Sequence, residues 1–97
     1  MIKSVSGKTT QDIFDGINSR YSRKIPRELH NKAVRILDQI NAAPTLEFLR
    51  TPPSNRLEKL RGELGGFWSL RINDQWRIIF RWEGYDALDV EIIDYHR

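Results

Sequence analysis

The stretch FWSLRINDQWRIIFRWEGYDALDVEIIDY, residues 67–95, decides the fold. Within 67–72, Trp68, Leu70 and Ile72 alternate with Ser69 and Arg71. Within 76–82, Trp76, Ile78, Phe80 and Trp82 alternate with Arg77, Ile79 and Arg81. Within 88–95, Leu88, Val90 and Ile92 alternate with Asp89 and Glu91. A period of two marks strands with one buried face. Asn73-Asp74-Gln75 and Glu83-Gly84-Tyr85-Asp86 have turn composition, so the three segments read as an antiparallel meander. NRLEKLR (55–61) is expected to add a fourth strand, joined through Gly62, Gly65 and Gly66. One face of this sheet would pack on helices, and the other would carry Arg71, Arg77 and Arg81 on adjacent strands. Like charges facing one another destabilise a sheet, which favours a polyanion-binding face over a merely solvated, salt-bridged one.

Upstream, the period lengthens. IKSV (2–5) reads as a short strand, and Thr9 or Thr10 as the cap of a helix running through Ile13, Phe14 and Ile17. GINSRYSRKIP (16–26) mixes Gly, Ser, Asn, Pro and cations and reads as a loop whose order the sequence leaves open. Pro26 suits the first turn of the best helix in the chain. There Ile25, Leu29, Ala33, Ile36, Leu37 and Ile40 follow one face, with Arg27, Glu28, Lys32, Arg35 and Asp38 opposite. Ala42-Ala43-Pro44 ends it, and Pro52-Pro53 closes a short connection. The expectation is an α+β fold over a single domain, 1–97, with two N-terminal helices packed on an antiparallel sheet that ends in a C-terminal meander.

The chain has 97 residues, 39% apolar and 30% charged, enough for one core with little area to spare. The absence of Cys excludes disulfides and thiolate metal sites. No apolar run reaches the ~20 residues of a membrane span. MIKSVSGKTTQD lacks the apolar core of a signal peptide, so a soluble cytoplasmic protein is expected. The net charge is +3, unevenly spread. Residues 50–82 carry seven Arg/Lys against three acids, and residues 83–97 carry five acids against Arg97. Eleven of the sixteen cations are Arg, whose planar fork fits phosphate oxygens and base edges.

His30 and His96 lie far apart, without metal-ligand spacing, and the glycines match no nucleotide-binding loop. Neither a metal nor a cofactor is expected, and His30 reads as a structural helix residue. The tail is different. Asp94, Tyr95 and His96 form a cluster of proton donors and acceptors just past an apolar strand that anchors the chain to about Asp94. A metal-free ribonuclease needs a base for the 2′-hydroxyl, an acid for the leaving 5′-oxygen, and cations for the phosphorane. A frayed terminus is the plain alternative.

The runs NRLEKLRG, GGFWSLRINDQWRIIFRW and VEIIDYH, together with the MIKS start and the segment Arg50-Thr51-Pro52-Pro53-Ser54-Asn55-Arg56-Leu57, resemble HigB-type toxins of the RelE superfamily. The resemblance spans essentially the whole chain. It implies a ribosome-dependent endoribonuclease that cuts mRNA, neutralised by a HigA-type helix-turn-helix antitoxin through which alone operator DNA is bound. It also implies roles. Arg77, directly after Trp76, matches the arginine of the scissile phosphate, and Asp94, Tyr95 and His96 match the C-terminal catalytic cluster. Arg61 matches a basic position often held by Lys. Glu58 stands where some members carry His, and serves either as a base or as a holder of Arg56 or Lys59. Asn73 stands where some relatives have Arg. Arg56, Lys59, Arg61, Arg71 and Arg81 would contact RNA. Two other classes stay open: a ParE-like inhibitor of DNA gyrase, a group that generally lacks the Asp-Tyr-His tail, and a non-catalytic RNA- or ribosome-binding module. An adjacent reading frame encoding a helix-turn-helix protein would support the toxin reading.

Overall fold

The computed structural model describes residues 1–95; His96 and Arg97 lie outside the described residues. The elements are α1 (Lys8–Phe14), α2 (His30–Ala42), β1 (Glu58–Lys59), β2 (Trp68–Arg71), β3 (Trp76–Glu83) and β4 (Asp86–Asp94). The strands form one antiparallel sheet in the order β1-β2-β3-β4, as the alternating pattern anticipates. The helices cover one face. Ile13 of α1 and Ala33, Ile36, Leu37 and Ile40 of α2 close on Leu70, Ile72, Ile78, Phe80, Ala87, Val90 and Ile92 of the sheet side. Removing such side chains from water supplies roughly 1.5–3 kcal/mol each, the main term that holds the layers together. Among the described residues no helix is long and apolar enough to cross a membrane.

Several expectations need correction. α1 stops at Phe14 rather than running through Ile17. Gly16 takes a positive φ of 72°, its N–H donates to Ile13 (3.1 Å), and the Ile17 N–H donates to Asp12 (2.8 Å). These are the paired bonds of a glycine-ended helix, and they leave Ile17 exposed. Neither Thr9 nor Thr10 caps α1, whose N-cap position is Gly7. Thr10 is buried instead and accepts a bond from the Ile92 N–H (2.9 Å), pinning α1 to β4. The helix expected from Pro26 opens with a 3-10 turn over Arg27–Leu29 before becoming α-helical. Nε2 of His30 donates to the Ile25 carbonyl (2.9 Å), so this histidine is structural as read.

Residues 2–5 form no strand of their own. Ile2 and Val5 make isolated parallel bridges to Ala87 and Val90 along the outer edge of β4. Between these bridges Asp89 adopts a positive φ (52°) and sends its N–H to the Ser4 hydroxyl (2.8 Å) rather than to backbone. The strand expected over 55–61 shrinks to Glu58–Lys59, preceded by Arg56 in the left-handed region (φ 48°). The loop of residues 16–26 is tied down. The buried Asp12 carboxylate accepts from Ser19 Oγ (2.6 Å) and Lys8 Nζ (3.1 Å), and Ser22 Oγ accepts from the Ser19 N–H (2.9 Å).

Register also changes one assignment in β4. Ile79 pairs with Glu91 but Arg81 pairs with Leu88, so Asp89 and Val90 together oppose Phe80. This bulge shifts the alternation by one. Ala87, Val90 and Ile92 therefore face the core, and Leu88 falls on the arginine face.

Candidate functional site

Arg77, the second residue of β3, lies on the face of the sheet opposite the helices. Its Cα partners are Arg71 on β2 and Ile93 on β4. Arg77 is only 6% exposed, so the guanidinium must be satisfied by the protein. Nη1 donates to Ser69 Oγ at 2.9 Å and lies 3.7 Å from Glu58 Oε2. The register explains this meeting, because Glu58, Ser69, Ile79 and Glu91 form the next row on the same face. Tyr95 completes the surround, with its ring centroid 5.2 Å from the guanidinium carbon. The Tyr95 N–H donates to the Gln75 carbonyl (2.6 Å), which anchors the chain one residue further than the strand pattern suggested.

The other two arginines of the face also have acids beside them. Arg71 bonds Asp74 in the β2–β3 turn. That bond and then the charge of Arg71 hold the Asp74 carboxyl below its ordinary value against the opposing effect of desolvation, with a lesser pull from Arg56. Arg81 Nε is 3.5 Å from Asp89, and its guanidinium lies 4.2 Å from the Phe67 ring centroid. Gly66 makes room for it: its φ is 91°, and a Cβ there would stand 2.7 Å from Arg81 Nη1. Arg71 and Arg77 are direct cross-strand partners, yet each has a carboxylate within reach. Repulsion between the two guanidiniums is thus offset by acids, and the pair alone does not demand a polyanion.

The expected site residues divide. Arg77, Glu58 and Tyr95 come together, and Arg71 and Arg81 share their face. Arg61 is exposed ahead of the turn at Gly62–Leu64, and Arg56 is exposed and close enough to Asp74 to act on it. Lys59 pairs with Trp68, out of phase with Glu58, and its ammonium lies 5.9 Å from the Trp68 ring. Asp94 shares the row of Trp76, out of phase with Tyr95, and accepts a bond from Gln75 Nε2 (3.1 Å). His96 lies outside the described residues. Sequence reading missed Ser69, Gln75 and Phe67. Ser69 had a signal, since it alternates in phase with Arg71 and is a short hydroxyl one row from Arg77. Among the described residues no group of three or more His, Asp or Glu stands ready to hold a metal.

A buried arginine positioned by a hydroxyl, with a carboxylate and a phenol beside it, can hold a phosphate and move protons around it. Residues 10–96 match the family model described as RelE-like toxin of type II toxin–antitoxin system HigB. The chain belongs to the HigB-like toxin family. It is 41% identical over 75 residues to Toxin HigB-1 of Vibrio cholerae serotype O1, covering 77% of this chain and 78% of that one. An uncharacterised protein of Haemophilus influenzae is 40% identical over 64 residues, 66% of this chain and 63% of that one. This HigB-like chain also shares its fold with solved structures. The YoeB dimer of Staphylococcus aureus superposes with a TM-score of 0.59 at 20% identity, covering 99% of this chain and 98% of that one. YafQ from E. coli strain BL21(DE3) superposes with a TM-score of 0.57 at 15% identity, covering 97% and 93%. The α+β architecture expected from the sequence is the fold of these structures, and this chain is a RelE-like toxin of a type II toxin–antitoxin system.

Proposed function

We propose that this HigB-like toxin is a ribosome-dependent endoribonuclease that cleaves mRNA by attack of the RNA's own 2′-hydroxyl. The observation that carries the reading is the Arg77 constellation: a nearly buried guanidinium held by Ser69, with Glu58 and Tyr95 beside it on the face opposite the helices. A carboxylate or imidazole takes the 2′-hydroxyl proton as that oxygen bonds to phosphorus. The bond to the 5′-oxygen breaks, and an acid at the tail protonates the leaving oxygen. The products are a 2′,3′-cyclic phosphate and a 5′-hydroxyl. Arg77 balances the charge that builds on the phosphoryl oxygens, where one preorganised donor is worth about 10²–10³ in rate. Glu58 and His96 share the base and acid roles, Tyr95 orients them, Asp94 through its bond from Gln75 fixes the strand end from which Tyr95 extends, and Arg56, Lys59, Arg61, Arg71 and Arg81 hold the flanking RNA. No step calls for a metal or a cofactor.

Residues 1–97 act as one domain, in the cytoplasm. A HigA-type helix-turn-helix antitoxin holds the toxin inactive, and operator DNA is bound only through it. A solved YoeB–YefM toxin–antitoxin complex from Staphylococcus aureus, with the same fold at a TM-score of 0.58 and 20% identity, supports a protein partner of this kind.

Primer extension on mRNA after expression of the chain tests the reading. New 5′-hydroxyl ends should appear with intact ribosomes and disappear when the nucleotide before the cut is 2′-deoxy. His96→Ala should lower cutting by about 10²–10⁴, the usual worth of a general acid or base. Intact transcripts in growth-arrested cells, with DNA breaks at gyrase sites, would move the chain to the ParE-like reading.

A further inference from the structure

Away from the Arg77 face, three cations converge on one aromatic ring. Arg20, Lys24 and Lys8 lie 4.9, 5.7 and 5.9 Å from the Tyr21 ring centroid. Arg20 also donates from Nη2 to the Tyr21 hydroxyl (2.8 Å). Lys8 is paired with Asp12, whereas among the described residues no carboxylate lies within 4 Å of Arg20 or Lys24. Three positive charges so close repel one another, and bringing an anion among them relieves that cost.

The cluster is held in place. Ser19 Oγ accepts from the N–H groups of Tyr21 (3.2 Å) and Ser22 (3.1 Å) and donates to buried Asp12 (2.6 Å), so the loop bearing the cations is clamped to α1. Beside it opens a recess of about 410 Å³ between Lys8, Tyr21 and Lys24 on one side and Trp76, Glu91 and Ile92 on the other. Glu91 is the acid among the residues that line it. Trp76 pairs with Asp94, so the recess lies beside the end of the sheet that carries Asp94.

We propose that Lys8, Arg20 and Lys24 around Tyr21 form a second RNA contact, a site for the phosphodiester backbone of single-stranded RNA distinct from the Arg77 face. It rests on the reading that this toxin acts on RNA. Cations interleaved with an aromatic ring are how non-specific grooves track a strand, and contacts to phosphate position RNA without reading its sequence. RNA engaged at Arg77 continues round the end of the sheet and is gripped again at this recess.

The test is binding of the full chain to fluorescent 12-nucleotide poly(U) and poly(A) and to purified ribosomes, over a salt series. Arg20→Ala/Lys24→Ala removes the two cations of the cluster that have no carboxylate beside them and leaves the Lys8–Asp12 pair intact. Loss of two phosphate contacts should flatten the log–log salt slope by ~1.4 and weaken binding on the order of tenfold at 0.1 M salt, equally for both homopolymers. The melting temperature should not move. Unchanged affinity and slope for RNA and ribosomes would overturn this site while leaving the nuclease reading standing. Weakened binding of a purified antitoxin with RNA binding unchanged would overturn it too and give the patch to a protein. If the unmodified chain binds neither RNA nor ribosomes, both readings fall. Loss of the slope with mRNA cutting absent throughout would keep the RNA site and sink only the nuclease.

Discussion

On the inner side of β3, Ile78 and Phe80 are wholly buried in the hydrophobic core. On the outer side of the same strand, Arg77 and Arg81 alternate with them, one buried against Ser69 and Glu58, the other lying on Phe67. The inner side is held by area removed from water, which is non-directional and tolerates similar shapes. The outer side is held by directed bonds between charges, which contribute little stability when exposed but fix a guanidinium in space. Substitutions on the two sides should therefore fail in different ways: inner ones in folding, outer ones in activity.

Phe80→Ala should show the largest effect, a loss of about 3–5 kcal/mol in denaturant unfolding, with activity per folded molecule preserved. Arg77→Lys sharpens the contrast. It keeps the charge but loses the fork, so mRNA cutting should fall by about 10²–10³ while the unfolding midpoint moves far less than in Phe80→Ala. If the two variants lost stability equally and Arg77→Lys still cut at the original rate, the outer side would be structural and the comparison would break. Gly66→Ala comes next. A left-handed position with a Cβ against Arg81 should cost roughly 1–2 kcal/mol and lift the arginine off Phe67, which calorimetry and the fluorescence-free near-ultraviolet dichroism of the aromatics would both follow.

The smallest effect concerns acid. Hydrogen bonds from Ser19 and Lys8 hold the Asp12 carboxyl below its ordinary value, outweighing desolvation. The folded chain thus takes up this proton less readily than the unfolded one. The stability linked to Asp12 is fully present above about pH 4 and is lost as pH falls through the lowered folded value. Asp12→Asn should flatten the acid limb of a pH–stability curve and leave its neutral part nearly parallel to the original. An acid limb of unchanged slope would show that other carboxylates set it.

The meander and α2 were legible because burial on one face writes a period into the sequence, two for strands and 3.6 for the helix. The arginine side was legible for the same reason. What parity cannot register is an inserted residue. The bulge at Asp89 and Val90 moved Leu88 to the arginine side, although Leu88 itself has every property of a core residue. Capping was misread because Thr10 is a good cap in isolation, and only the packed sheet reveals its use as an acceptor for Ile92. At the site, Arg77, Glu58 and Tyr95 could be named from resemblance. Ser69 and the acids beside Arg71 and Arg81 come from cross-strand register, which a linear chain leaves unstated until the strands are aligned.

The bridges from residues 2–5 to β4 bear on how the toxin is made. Ser4 and Asp89 are 85 residues apart, so the edge of β4 waits for a partner synthesised long before it. At roughly 5–20 residues per second, that interval is about 4–17 s of translation. Throughout it the early segment has no edge to join and the sheet has no closed flank. A nascent toxin of this build thus closes this flank of its sheet only once Asp89 has been made, and the interval gives an antitoxin already present time to meet it as it folds.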